Sequence, residues 1–214
     1  MQPAAPPAAA DTALPVVEAR AVTMRFGGLT AVDGMSIALR RGELLGLIGP
    51  NGAGKTTLFN MLAGTLTPSG GAIRIADHDI AREGAERRIA RGLGRTFQIP
   101  RPFAEMTVLE NVLTGGQRKL MALARVLMAD PDILLLDEPA AGVNPTLLEF
   151  IIGRVQALNA DGKSILLIEH NMDMVARLCS RVVVMAAGKH LTEGKPADMA
   201  RNPAVIEAYL GDVA

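Results

Sequence analysis

Apolar and polar positions alternate in two ways along this chain. At the front, Val16 to Met24 alternates loosely and Met35 to Leu39 follows in the same manner, predicting strands with one wet face. From Leu44 on, the apolar stretches become unbroken: Leu44-Leu-Gly-Leu-Ile48, Ile133-Leu-Leu-Leu136, Ser164 to Ile168 and Arg181 to Met185. Runs of strand length, apolar on both faces, predict buried strands of a parallel sheet. A short strand is predicted at Ala72 to Ile75. Helices are predicted at Thr56 to Leu62, Ala81 to Arg91, Gln117 to Met128, Leu147 to Leu158, Asn171 to Leu178 and Pro203 to Leu210. In the third, Leu120, Ala124 and Leu127 share a face; in the fourth, Leu147, Phe150, Ile151, Val155 and Leu158 form a stripe. Strands and helices in alternation predict an α/β fold with a mainly parallel sheet, behind a small N-terminal antiparallel β element.

Composition narrows the classes of function. The 22 basic residues balance 22 acidic ones, and aromatics are 3% of the chain. A nucleic-acid binder needs a basic face or a stacking platform, so no nucleic acid is expected as a partner. The single cysteine, Cys179, forms no intramolecular disulfide and sits in an apolar stretch, where core filling is its expected role. No apolar run approaches the roughly 20 residues of a membrane-spanning helix. Residues 1–15 are rich in Ala and Pro with no Lys or Arg, which predicts a disordered tail and no secretory signal. Residues 16–214 are expected to form one domain of 100–200 residues or so.

The chemistry begins where the Leu44–Ile48 run stops. Gly49-Pro50-Asn51-Gly52-Ala53-Gly54-Lys55-Thr56 fits the pattern GxxxxGK[ST], followed by Thr57. The glycines let backbone N–H groups turn inward around a phosphate. Lys55 supplies a charge for the outer phosphates, Thr56 a hydroxyl for Mg²⁺, and the following helix its positive end. A buried strand before the motif and a helix after it are the context that a phosphate loop requires, and they disfavour an ordinary Gly-rich turn. A P-loop nucleotide triphosphatase core is therefore predicted.

A second run, Ile133 to Leu136, ends in Asp137 and Glu138. Ligands of open α/β sheets bind beyond the carboxyl ends of the strands. Asp137 is placed to hold Mg²⁺ and Glu138 to orient or deprotonate a water, the general-base task. A solvated acid pair at a strand end is the plainer alternative, and the phosphate loop in the same chain tips the balance.

Further motifs follow in an order that resembles the ATP-binding subunits of ABC transporters. Gln98 in Arg95-Thr-Phe-Gln98 is similar to the Q-loop glutamine, which in that family touches Mg²⁺ and the attacking water. Leu113-Thr114-Gly115-Gly116-Gln117 resembles the LSGGQ signature, with Thr114 in place of Ser. Ala141-Gly-Val-Asn144 resembles the D-loop, and His170 the H-loop histidine at the γ-phosphate. Phe26 stands where the family carries an aromatic that stacks on adenine. The wording of Met106-Thr-Val-Leu-Glu-Asn-Val112, Glu138-Pro-Ala-Ala-Gly-Val-Asn-Pro145, Ile168-Glu-His-Asn-Met-Asp173 and Val205-Ile-Glu-Ala-Tyr-Leu-Gly211 resembles the LivG-like branch of branched-chain amino acid importers. Asn144 is usual in that branch. His78 and His190 fit none of these motifs.

The resemblance breaks in one place. Gln98 and Gly115 are 17 positions apart, whereas family members place several dozen more residues there, building the helical subdomain that supports the signature and receives the membrane subunit. That subdomain is expected to be largely missing. Sixteen linking residues can span roughly 50 Å when extended, so the core sheet is still expected to form. Nucleotide binding is expected to survive, and dimer-dependent hydrolysis and coupling to be weakened.

The resemblance implies an ATPase that uses ATP and Mg²⁺ to energise import of a small solute. Two subunits, alike or different, would sandwich two ATP molecules, each phosphate loop facing the other subunit's signature. Glu138, His170 and Gln98 would be catalytic; Thr56, Gln98 and Asp137 would hold Mg²⁺. Membrane permease subunits would be direct partners and a solute-binding protein an indirect one. Such a chain sits in the cytoplasm, peripheral on the inner face of the membrane. The alternatives are a non-transport ATPase of the same type, and a nucleotide-binding copy with impaired hydrolysis.

Overall fold

A computed structural model describes residues 14–96 and 115–210, with backbone alone for residues 115–120. The expected tail, but for its last two residues, together with Gln98, Leu113 and Thr114, lies outside the described residues.

Two sheets carry the fold. The first, of four strands, runs β2 (Leu29–Leu39), β1 (Val17–Phe26), β4 (Gly70–Ile75), β5 (His78–Asp79). Its pairings are antiparallel, the front element that the loose alternation predicts. The second has six strands in the order β10 (Lys189–Gly194), β9 (Arg181–Ala186), β3 (Leu44–Ile48), β8 (Ser164–Ile168), β7 (Ile133–Asp137), β6 (Leu93–Arg95). All its pairings are parallel except β9 with β10. The α/β architecture with a mainly parallel sheet is as predicted.

The unbroken runs are buried on both sides because the pleat sends alternate residues to opposite faces. Leu45, Leu47, Leu135, Leu166 and Val183 join one core with the antiparallel sheet and helix α1 (Lys55–Ala63). Leu44, Ile48, Leu134, Leu136, Ile165, Leu167 and Val182 join a second core with five helices. These are α3 (Gly115–Leu127), α4 (Pro145–Ala160), α5 (Met172–Leu178), α6 (Pro196–Met199) and α7 (Pro203–Leu210). Cys179 is buried in that second core, in the filling role expected of it.

Details differ from the sequence pattern. Helix α2 covers only Ala85–Ala90, because β5 and a turn take up the preceding residues; the Asp79 carboxylate accepts from the Ala81 N–H at 2.9 Å and bends the chain there. In α3 the inward stripe is Leu123, Val126 and Leu127, while Ala124 is exposed. In α4, Phe150 is 47% exposed and Ile152 takes an inward place beside Ile151 and Val155. The Arg154 guanidinium covers the Phe150 ring at 5.0 Å from its centroid. Strands β5, β6 and β10 and the short helix α6 (Pro196–Met199) are additional to the predicted elements. The chain closes with α7 (Pro203–Leu210), as predicted.

Buried Arg88 locks the first core. Its guanidinium donates to the carbonyls of Met61, Leu62 and Ile80 at 2.5, 2.7 and 2.6 Å, and its Nε to Glu83 O at 2.9 Å. The first two carbonyls belong to the last turn of α1, where the regular helical ladder runs out; Met61 O also accepts from the capping Gly64 N–H at 3.3 Å. Burial pushes the Arg88 pKa down to about 10, against the pull of Glu83 and Asp79. Arg88 therefore holds its charge at neutral pH and fixes the far end of the helix that begins at the phosphate loop.

Candidate functional site

Parallel strands end at one edge, so β3, β8, β7 and β6 deliver their next residues to a common line. Gly49 follows β3, Glu169 and His170 follow β8, Asp137 and Glu138 close β7, and Thr96 follows β6.

At the end of β3 the chain enters the loop Gly49–Gly54 and then α1. Gly49 has φ 150°, and a Cβ there would lie 2.1 Å from the Met185 carbonyl oxygen. Gly54 has φ 92°, and its Cβ would meet Ala31 O at 2.4 Å. Only glycine fits two backbone positions pressed this close to neighbouring chain. The pressing elements are the start of β2 and the tight β9–β10 turn: Gly188 N–H donates to Ala53 O at 3.1 Å, and Asp33 N–H to Gly188 O at 2.8 Å. The buried Lys55 ammonium donates to the carbonyls of Gly49 and Pro50, each at 2.7 Å. Thr56 is exposed at the first turn of α1 and Thr57 half-buried behind it; Asn51 and Gly52 are exposed at the loop's crest. The loop thus combines crowded glycines, one buried ammonium and an exposed threonine at a helix N-terminus. It suits a chain of phosphates.

Beside it, Asp137 is 3% exposed. Its N–H donates to Thr96 Oγ1 at 3.2 Å, tying the ends of β7 and β6. Arg95, half-buried, donates to Asn60 Oδ1 at 2.6 Å and to Thr65 Oγ1 at 3.0 Å, and its guanidinium lies 4.8 Å from the Phe59 ring centroid. Burial pushes its pKa down while the Asp137 charge opposes that shift. Arg95, three residues before the Q-loop position, thus grips the phosphate-loop helix.

Glu138 has φ 47°, a left-handed conformation that turns the chain sharply out of β7. Its N–H still donates to Ile168 O at 2.9 Å. Its carboxylate Oε1 meets His170 Nε2 at 2.8 Å. Asn144, at the D-loop position, caps α4: its side chain accepts from the Leu147 N–H at 2.9 Å, with Pro145 in the first turn. Phe26 is 46% exposed at the β1–β2 hairpin, facing Leu29. Gly115, Gly116 and Gln117 open α3. The structure therefore brings together the loop 49–57, Asp137, Glu138 and His170, and places Phe26 on the hairpin whose next residues touch the loop. Sequence reasoning assigned nothing to Glu169, Thr96 or Arg95.

A phosphate loop, an acidic strand end and a histidine on the neighbouring strand, all on one edge of a parallel sheet, define a nucleotide triphosphatase of the ATP-binding cassette type. The chain belongs to the ABC transporter family of ATP-binding subunits, in its branched-chain amino acid branch. The ABC transporter family profile matches residues 32–114 and 110–141, and that of the branched-chain amino acid ATP-binding cassette transporters matches 189–214. The high-affinity branched-chain amino acid transport ATP-binding protein BraF of Pseudomonas aeruginosa is 34% identical over 251 residues, covering 92% of this chain and 98% of that protein. LivG of Salmonella typhimurium, described in the same words, is 35% identical with the same coverage. Among solved structures, an ATP-binding cassette of an ABC transporter in its ADP conformation is 30% identical, with a TM-score of 0.84 over 92% of this chain and 99% of that one.

These matches also bear on the short middle. Since 92% of 214 residues is about 197, about 54 of the 251 aligned positions face no residue of this chain. The family profile breaks and resumes at residues 110–114, inside the interval between Gln98 and Gly115. The helical subdomain is largely missing there.

Among the described residues no group of three His, Cys, Asp or Glu gathers to hold a metal, and no helix is long and apolar enough to cross a membrane. Mg²⁺ that arrives with a nucleotide needs only one or two protein oxygens. The exposed Thr56 hydroxyl and the buried Asp137 carboxylate fit that need.

Proposed function

We propose that this chain binds ATP with Mg²⁺ and hydrolyses it to drive import of branched-chain amino acids through separate membrane subunits. The observation that carries this reading is the shared sheet edge on which the phosphate loop and the Glu138–His170 pair both lie. The relatives' description as branched-chain amino acid transport ATP-binding proteins supports the choice of solute.

In this reading the loop Gly49–Gly54 holds the phosphates by its backbone N–H groups and Lys55 neutralises the outer two. Lys55 exchanges its carbonyl partners for phosphate oxygens, a stronger, charge-assisted set of bonds. Thr56, Asp137 and Gln98 would hold Mg²⁺, which would supply charge neutralisation when bound. Glu138 orients and deprotonates the attacking water. His170 contacts the γ-phosphate and holds Glu138 in place. Phe26 stacks on adenine. Catalysis of this kind rests on donors fixed in advance around developing charge, and Arg88, Arg95 and Thr96 fix the elements that carry them.

The functional unit is a dimer, with Leu113, Thr114, Gly115, Gly116 and Gln117 of one subunit facing the phosphate loop of the other and Asn144 near the seam. Residues 16–214 form the cassette, peripheral on the cytoplasmic face of the membrane through its permease partners. The short interval after Gln98 removes support from the signature helix, so turnover and coupling run below those of a chain of family length.

The test is ATP affinity and ATP-driven leucine uptake by the full chain with its membrane subunits, beside a version carrying a relative's segment between Gln98 and Gly115. The reading expects equal affinity in both and faster uptake in the longer form. Failure of either form to bind ATP would refute it.

A further inference from the structure

Glu169 is a buried carboxylate to which no role has been given. It is 2% exposed, and it follows directly on β8, between Ile168 and His170. Its oxygens are divided between two turns. Oε1 accepts from the Ala140 N–H at 2.6 Å, two residues beyond Glu138. Oε2 accepts from the N–H groups of His170 and Asn171 at 3.0 and 3.2 Å.

The place of this bridge matters. The β7–β8 ladder ends at the pairing of Asp137 with Ile168. One further bond, Glu138 N–H to Ile168 O, extends it. Beyond that the two strands part, and each continues into the turn that carries one member of the Glu138–His170 pair. The Glu169 carboxylate spans the gap with three bonds to backbone N–H groups. Bonds to an ionised acceptor are short and strong, and a buried donor that loses one is costly to leave unmet. The side chain thus fixes the distance between the two turns where the ladder no longer does.

We infer that Glu169 is a positioning residue for the γ-phosphate end of the site: it acts through His170, setting where the imidazole stands relative to Glu138. This rests on the reading of His170 as the γ-phosphate contact. The mechanism needs no chemistry from Glu169 itself, which is shielded from solvent and occupied by backbone donors.

The prediction separates ATP from ADP. Only a triphosphate reaches His170, so misplacing the imidazole weakens triphosphate binding and spares diphosphate binding. The experiment titrates the full chain with AMPPNP and with ADP by calorimetry. It compares wild type, Glu169→Gln, His170→Ala and the double variant, with melting curves for each. Gln keeps the shape but turns its own NH₂ group toward at least one backbone N–H, either that of Ala140 or those of His170 and Asn171. Glu169→Gln is expected to lower AMPPNP affinity about tenfold, the scale of one charged hydrogen bond. ADP affinity stays within about twofold of wild type. His170→Ala shows the same selective loss, and the double variant no more than the larger single loss. Glu169→Asp, which keeps the charge and shortens the reach, is the second variant should the first not fold, and shows the same selectivity.

Equal losses for AMPPNP and ADP, or additive losses in the double variant, would overturn the inference and leave the ATPase reading intact. So would a Glu169→Gln chain that binds AMPPNP like wild type while His170→Ala does not. A His170→Ala chain that keeps its AMPPNP preference would remove His170 from the γ-phosphate and the inference with it.

Discussion

The imidazole Nε2 of His170 lies 2.8 Å from the Glu138 carboxylate Oε1, although the two residues belong to different strands and different turns. Glu138 reaches this position because its backbone leaves β7 in a left-handed turn. A non-glycine residue held in that region costs of order 1–3 kcal/mol, a cost that persists in folds where the surrounding structure imposes it. Here the ladder bond from Glu138 N–H to Ile168 O and the bridge through Glu169 impose it. The pair is therefore a product of sheet register.

Lys55 is the most direct handle on phosphate binding. Its ammonium is buried against the carbonyls of Gly49 and Pro50. Lys55→Met keeps the aliphatic stem and deletes the charge. ATP affinity is expected to fall at least about tenfold, because a charge-assisted contact contributes about 1.5–3 kcal/mol. Calorimetric titration with ATP checks the loss, and a melting curve checks that the chain is folded.

Arg88 should matter first to stability. Arg88→Met would remove all four bonds; the carbonyls of Leu62 and Glu83 lose their donor, while those of Met61 and Ile80 keep the N–H groups of Gly64 and Glu83. Each unmet group costs about 1–3 kcal/mol, so the loss is expected to reach at least about 2 kcal/mol. Urea unfolding monitored by circular dichroism measures it.

Cys179 gives a pH-dependent signature. Burial, with help from the charges of Glu43 and Glu169, pushes its thiol pKa from 9.0 up to about 12. The folded chain therefore keeps a protonated, slow thiol at pH 8, and alkylation by iodoacetamide is expected to be slow until urea unfolds it. A raised folded-state value makes the unfolded chain release its proton first. The associated stability is present below pH 9, and it fades as the pH rises from there through about 12. Unfolding curves at pH 8 and pH 10 check the direction.

Much of this was legible in the sequence, for identifiable reasons. Strands β3, β7, β8 and β9 announce themselves because both their faces are buried, leaving no polar interruption. The phosphate loop is legible because backbone crowding at Gly49 and Gly54 admits no other residue. Strand β10 is not, since it lies exposed at the sheet's edge with a polar sequence, Lys189 to Gly194. Phe150 is misleading because helical spacing does not distinguish a core contact from a ring covered by a neighbouring arginine. Glu169 was invisible for a different reason. A lone Glu beside a motif histidine carries no pattern of its own, and only the fold shows it facing three backbone donors. The one available signal is its place, directly after a fully apolar strand at the edge where ligands bind.

The central claim is that this chain hydrolyses ATP with Glu138 as base. The measurement is phosphate release from Mg-ATP by the full chain assembled with its membrane subunits, wild type against Glu138→Gln, with ATP binding followed in parallel. General-base removal costs about 10²–10⁴-fold. The expected result is phosphate release by wild type that falls at least about a hundredfold in the variant while ATP stays bound. Equal release by the two chains, or no ATP bound by either, would contradict the account.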